Sequence, residues 1–317
     1  MTDTGPLFVS SGDLIADRRY KWALDHAASG DLSGAADILM QTIELAPGFA
    51  TAWFALGAIR DQLGDRDGAI AAFAKARDAD PEDYHGARLQ LARLGSGETT
   101  PAMTETYVRR LFDQYAARYD SALTERLNYR GPALLRDAVE AVMRAAGRPT
   151  RFGSMLDLGC GTGLAGAAFR PLVVDRLVGV DLSAAMIAQA VNKKVYDLLV
   201  PRDIESYLAD QITDERIYDL LIAADVFVYI SDLRPIIALI AGVLAPHGLF
   251  AFSVETHCGD GVKLLPTLRY AHGEAYVREV LAAAGFALPH LAKASVRSEK
   301  GVPVDSLIVV AQRLSSQ

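Results

Sequence analysis

Two apolar rhythms divide this chain. In the first hundred residues apolar positions recur at helical spacing, and the last such stretch, residues 82–94, reads as one amphipathic helix. The same rhythm returns at Tyr107, Val108, Leu111, Phe112, Tyr115 and Tyr119. Pro132 then starts a helix that Gly147-Arg148-Pro149 stops after Ala146. Beyond residue 150 the rhythm changes. Short apolar runs end at Asp157 and fill 176–181, 198–200, 218–224 and 248–254, with helical stretches between them. That alternation predicts an α/β domain whose parallel sheet is covered on both faces. The tail differs: 287–294 and 304–311 both read as extended, joined by a polar turn at 297–301. The expected sheet is therefore mostly parallel with an antiparallel last strand.

The first hundred residues also repeat. Pro47 and Pro81 lie 34 residues apart, as do Gly30 and Gly64, Ala35 and Ala69, and Leu39 and Phe73. A 34-residue period closed by proline is the tetratricopeptide (TPR) signature, in which helix pairs stack through small and bulky apolar residues. Trp53, Leu56, Gly57, Ala69, Phe73 and Pro81 carry it most clearly. In the first unit Trp22 and Ala23 stand in the Leu-Gly place. Residues 15–94 thus read as two repeats plus a capping helix, and 95–101 (GSGETTP) as a linker. The expected domains are 1–97, an all-α helical repeat region, and 98–317, an α/β domain led by lid helices over 105–146. Such a stack either docks a protein partner, packs on the chain's own α/β domain, or forms a homo-oligomer contact.

Composition narrows the classes. The 317 residues are 51% hydrophobic and 22% charged, enough for two ordinary cores. A net charge of −7 gives no general attraction to nucleic acid or anionic membrane. Two cysteines, Cys160 and Cys258, make no disulfide framework. There is no signal-like start and no run of about 18 apolar residues. A cytoplasmic protein without a membrane span is expected.

The chemistry is concentrated in Asp157-Leu158-Gly159-Cys160-Gly161-Thr162-Gly163, between a strand and a small-residue helix over 164–169. Three glycines in five residues let the chain turn tightly and let a ligand lie against bare backbone. Gly161, Gly163 and Gly166 also fit the dinucleotide pattern G-x-G-x-x-G. The acid before the glycines argues otherwise, because a carboxylate there repels a pyrophosphate and suits a cation. S-adenosylmethionine (SAM), with its sulfonium and α-amino group, is such a ligand. Asp181 ends the second strand, 18 residues after Gly163, where an acid accepts ribose hydroxyls; a helix N-cap is its plainer reading, although Ser183 is itself a good cap. Met186 one turn later, and Asp203 with Ile204 after the third strand, are placed to meet an adenine; Asp203 is equally a cap.

Ala224, Asp225 and Tyr229 follow the fourth strand and face the place of the methyl group and acceptor. There is no Pro-Pro-Tyr/Phe here, which lowers amide and nucleobase N-methylation. Base candidates for an O-directed transfer are His272, Asp225 and Glu255. His272 is expected in a loop before a helix, and Arg269 is placed to clamp a substrate carboxylate or phosphate. Glu255, His257 and Cys258 are too close in sequence, without a second cluster, to predict a metal.

Residues 105–315 resemble the class I SAM-dependent methyltransferases fused to tetratricopeptide repeats. The shared pieces are Tyr115 to Asp120, Asp157 to Gly163, Val180-Asp181-Leu182-Ser183, Ala224-Asp225-Val226, and Arg269-Tyr270-Ala271-His272. The resemblance implies a Rossmann-like fold and a SAM pocket lined by Asp157, Gly159, Cys160, Gly161, Thr162, Gly163, Asp181, Leu182, Met186, Asp203, Ile204, Ala224 and Asp225. Tyr115 and Tyr119 would close it as a lid. The activity implied is methyl transfer to an oxygen or carbon of a small-molecule acceptor. A protein-directed enzyme that recruits its target through the repeats, and a non-catalytic SAM-binding scaffold, are the alternatives.

Overall fold

The computed structural model describes residues 7–99, 101–121, 128–299 and 301–315. It forms two compact units, Met1–Leu111 with Pro266–Leu268 and Phe112–Leu265 with Arg269–Gln317. The division at Leu111/Phe112 falls later than the expected 97/98.

The first unit contains two helix pairs, α1 Leu14–Ala28 with α2 Leu32–Leu45 and α3 Ala50–Gln62 with α4 Arg66–Ala79. The local geometry recurs at the 34-residue interval. Gly30 and Gly64 turn with φ of 90° and 81°. The next residues, Asp31 and Asp65, each cap a helix by accepting the N–H of Gly34 or Gly68 at 2.9 Å. Ala16, Ala23, Ala35, Ala52 and Leu56 build one core, and Ala69, Phe73, Leu91 and Leu94 a second. Gly57 lets helices approach: a Cβ there would stand 2.7 Å from the Phe73 ring. The expected helix over 82–94 is shorter, α5 Ala87–Arg93. Asp83 and Gly86 adopt left-handed φ of 54° and 76°, and the buried Asp83 carboxylate accepts the Ala87 N–H, which starts the helix there. Helix α6 spans Glu105–Tyr115.

The second unit is a sheet with helices on both faces. Strands β1 Phe152–Leu158, β2 Val173–Asp181, β3 Leu198–Pro201, β4 Tyr218–Ala223 and β5 Leu244–Glu255 are parallel in the order β3-β2-β1-β4-β5. The intervening helices are α7 Gly131–Ala145 (leading β1), α8 Leu164–Phe169, α9 Ala184–Lys193, α10 Ile204–Thr213 and α11 Arg234–Val243. Successive β4 residues enter opposite cores: Leu221 and Ala223 one, Leu220 and Ile222 the other. This is why the strands read as continuously apolar. Strand order reverses between β1 and β4, which opens a crevice at their carboxyl ends.

After β5 come the short strands β6 Val262–Leu264 and β7 Tyr270–His272, then α12 Glu274–Ala283, β8 Phe286–Glu299 and β9 Val302–Arg313. Strand β9 runs antiparallel beside β5 and pairs with β8. The antiparallel end agrees with the expectation, with two differences. Tyr270–His272 is not a loop but a strand, paired with the tip of β5 through Ala271 and Glu255. Arg297 is not in the turn but inside β8, because buried acids partner its guanidinium.

Candidate active site

The crevice is floored by the glycine turn. Gly159, Gly161 and Gly163 have φ of 64°, 53° and 91°, the region that favours glycine. A Cβ on Gly159 would meet Val226 at 2.6 Å, so that glycine serves the packing of the segment after β4. On Gly161 it would meet nothing nearer than Tyr119 Cε1 at 3.9 Å. Gly161 is thus the position where bare backbone faces open space, as a cradle for a ligand requires. Gly166 is different: its Cβ would fall 2.3 Å from Tyr196 Cζ and Oη. The third glycine of the dinucleotide pattern is explained by a tyrosine ring.

Asp157 lies beneath the turn, 1% exposed. Its Oδ2 accepts from Tyr196 Oη at 2.6 Å, and its buried Oδ1 has no hydrogen-bond partner. Burial pushes its pKa up to about 7, against the opposing Tyr196 bond. The expected direct meeting with a cationic ligand is corrected, because Asp157 is sealed in beneath the turn. Asp181 ties the turn to α9, its Oδ2 accepting from Gly161 N–H and Oδ1 from Ser183 N–H, both at 2.8 Å. Burial pushes it up to about 6. The cap of α9 is Ser183, whose Oγ accepts the Met186 N–H at 3.1 Å, so Asp181 is free of the capping role. Leu182 is half-buried beside it and Met186 is buried. Asp203 is the N-cap of α10 through Ser206 N–H at 2.8 Å, with Ile204 half-buried behind it. Buried Cys160 bonds its N–H to Val180 O at 2.9 Å, and burial pushes its thiol pKa up, so it is packing rather than a nucleophile.

Residues 112–121 cover the turn. Asp120 accepts from Thr162 Oγ1 and pairs with Lys193, and Asp113 accepts from Ser183 Oγ at 2.5 Å. The Tyr115 and Tyr119 rings lie 5.7 Å apart, Phe112 and Tyr119 6.0 Å, and Phe112 and Tyr229 5.2 Å. Burial raises the Tyr119 and Tyr229 hydroxyl pKa values, so both stay neutral hydrogen-bonding groups.

Past half-buried Ala224, the chain turns at Asp225 with φ 62°, an unusual conformation for a residue with a side chain. Its N–H donates to Ser253 Oγ at 2.9 Å. Both its oxygens accept from Arg297 Nη1 at 2.6 Å. Arg297 also donates to Glu255 and, at 3.2 Å, to Glu299. Arg269 pairs with the same two glutamates. The expected clamp is corrected here, because Arg269 is buried and engaged with Glu255 and Glu299. His272 is wholly buried; its Nε2 faces Ile230 O at 3.0 Å and Ser231 O at 3.3 Å, and Nδ1 has no partner. Burial drops its pKa to about 4. A neutral imidazole donating to two carbonyls braces the segment after β4, so the base role expected for His272 has no path to an acceptor. Among the described residues no group of three or more His, Cys, Asp or Glu side chains is arranged to hold a metal ion.

Four participants had no such role in the sequence reading. Tyr196 follows α9 in a polar stretch, and only the small residues Gly163, Gly166 and Gly179 that accommodate its ring hinted at it. Asp113 and Asp120 look like solvated acids on a helix face. Arg297 looked like a turn residue.

Comparison with known proteins agrees with this geometry. Residues 128–290, just over half the chain, match the family described as methyltransferase domain. Among solved structures, the magnesium protoporphyrin IX methyltransferase of Synechocystis PCC 6803 with bound S-adenosylhomocysteine (SAH) is 19% identical. The match covers 66% of this chain and 99% of that one, with a TM-score of 0.51. The 1,6-didemethyltoxoflavin-N1-methyltransferase of Burkholderia thailandensis, crystallised with its substrate and SAH, is 19% identical over 66% and 88% of the two chains, TM-score 0.50. No curated protein matches. The turn that leaves Gly161 bare, the acid at the end of β2 and the antiparallel β9 thus find their common explanation: the chain belongs to the methyltransferase-domain family, which uses S-adenosylmethionine.

Proposed function

We propose that the protein methylates an oxygen or carbon of a small-molecule acceptor held at the carboxyl ends of β4 and β5. The observation that carries this reading is the grouping of side chains beside Asp225 at the end of β4. Phe112 packs against both Tyr119 and Tyr229, and Asp225 pairs with Arg297 in a network that also holds Arg269. Bound SAM supplies a methyl group already activated by its sulfonium. Gly161 would leave room for the donor's chain, Asp181 would accept from its ribose, and residues 112–121 would exclude water. Asp225 and Tyr229 would orient the acceptor. With His272 sealed away and Glu255 buried between Arg269 and Arg297, an O-directed transfer relies on Asp225 or on an acceptor ionised before it binds.

The helical unit is proposed to serve self-association or partner docking. A protein-directed reaction is the second reading, favoured by the 34-residue recurrence of caps and turns in that unit. Calorimetric titration with SAH, SAM and NAD tests the first step; SAH and SAM should bind, NAD should not, and Asp181→Ala should weaken both by tenfold or more. Incubation of the full chain with methyl-labelled SAM and separate metabolite and protein fractions tests the second. Label in the metabolite fraction supports the small-molecule reading, and label confined to protein refutes it.

A further inference from the structure

The network around Asp225 holds an odd number of charges. Arg297 and Arg269 supply two guanidiniums, and Asp225, Glu255 and Glu299 three carboxylates. The members are withdrawn from water: the Arg297 side chain is 1% exposed, Glu255 3% and Arg269 7%. Asp225, at 13%, and Glu299, at 22%, are the members most exposed to solvent. Counted over these five groups, one negative charge is left over. Burying such a charge is costly unless a proton or a ligand cation neutralises it. Glu255 reflects the cost: its proton affinity is raised by burial although both arginines oppose it.

Both guanidiniums are occupied by carboxylates, so a carboxylate or phosphate approaching Asp225 would meet the surplus charge. A cation would meet the opposite situation, because Asp225 would attract it directly.

We propose that the acceptor bears a protonated amine, whose charge completes the Asp225–Arg297–Glu255–Arg269–Glu299 network. The inference rests on the methyl-transfer reading above. Glu299 and Asp225 become the residues that set specificity for the acceptor's charge. Arg297, which touches the acceptor only through Asp225, is a positioning residue. At an effective dielectric of about 20, a unit charge about 6 Å from the surplus one changes affinity on the order of a hundredfold. Solvent at Asp225 and Glu299 lowers the expectation to about tenfold.

The test uses the full chain saturated with SAH and three para-substituted phenols of positive, zero and negative charge: tyramine, 4-methylphenol and 4-hydroxyphenylacetate. Affinities are read by ligand-observed NMR titration. Tyramine should bind about tenfold or more tightly than 4-hydroxyphenylacetate, with 4-methylphenol between them. Glu299→Gln, which keeps the hydrogen-bonding shape and removes the surplus charge, should shrink the preference to about threefold or less; Glu299→Asp should retain it. SAH affinity, measured alongside, reports whether each variant is folded. Equal or reversed ranking of the probes in the wild type overturns the inference, as does failure of all three to bind, or a preference that survives in a folded Glu299→Gln. If the wild type does not bind SAH, the methyl-transfer reading fails instead, and the two failures are told apart.

Discussion

Replacing Gly161 with alanine separates what the turn does for the fold from what it does for the cofactor. At φ 53° an alanine costs about 1–2 kcal/mol of backbone strain. No steric cost adds to this, since the nearest atom to the new Cβ is Tyr119 Cε1 at 3.9 Å. For a domain of this size the melting temperature should fall by about 2–8 °C. The methyl group would nevertheless stand where the ligand lies. Forcing one carbon into a packed contact costs about 1–3 kcal/mol, so SAH affinity should drop about five- to 150-fold. Gly166→Ala is the control. Its Cβ would overlap Tyr196 at 2.3 Å and displace the hydroxyl that satisfies Asp157. Overpacking and a stranded buried carboxylate together cost about 3 kcal/mol or more. Differential scanning calorimetry gives the stabilities, and isothermal titration with SAH the affinities. Wild-type SAH affinity in Gly161→Ala would refute the reasoning. So would a stability loss in Gly161→Ala as large as in Gly166→Ala.

Asp157, raised to about 7, and Asp181, raised to about 6, bind protons more tightly folded than unfolded. Their stabilising contribution is therefore complete below about pH 4 and disappears as pH climbs to 7, so the melting temperature of wild type should fall relative to that of Asp157→Asn over that window, and a difference that stays constant with pH would count against a buried, proton-binding Asp157. His272, lowered to about 4, has the opposite sign: it favours the fold above pH 6.5 and loses that contribution as pH falls to 4. His272→Gln should flatten the acid side of the stability curve, and an unchanged acid limb would show that His272 is not buried neutral. In the helical unit Asp31→Ala and Asp65→Ala each remove an equivalent cap and should each cost about 1 kcal/mol by thermal denaturation; a large inequality would count against structural equivalence of the two turns.

How far the sequence was legible depended on distance along the chain. The glycine turn, the place of Asp181 at the end of β2 and the Ser183 cap are legible because the contacts that fix them span 20 residues or fewer, where spacing translates directly into geometry. The 34-residue recurrence is legible for the same reason, since Gly30 and Gly64 each act on the turn they occupy. Arg297 is the opposite case. Its partners Asp225 and Glu255 are 72 and 42 residues away, and nothing nearby distinguishes a strand arginine destined for burial from one in a polar turn. Tyr196 is illegible likewise, since its bond to Asp157 spans 39 residues. Asp157 joins both cases. Its place at the end of β1 is readable from the pattern, but its burial is decided by a tyrosine from beyond α9. The carboxylate that suggested a cationic ligand is thus sealed in, whereas Asp225 and Glu299 are paired with arginines 72 and 30 residues away. The local motif therefore identifies the donor, whereas the charged network beside it is written in contacts that only folding brings together.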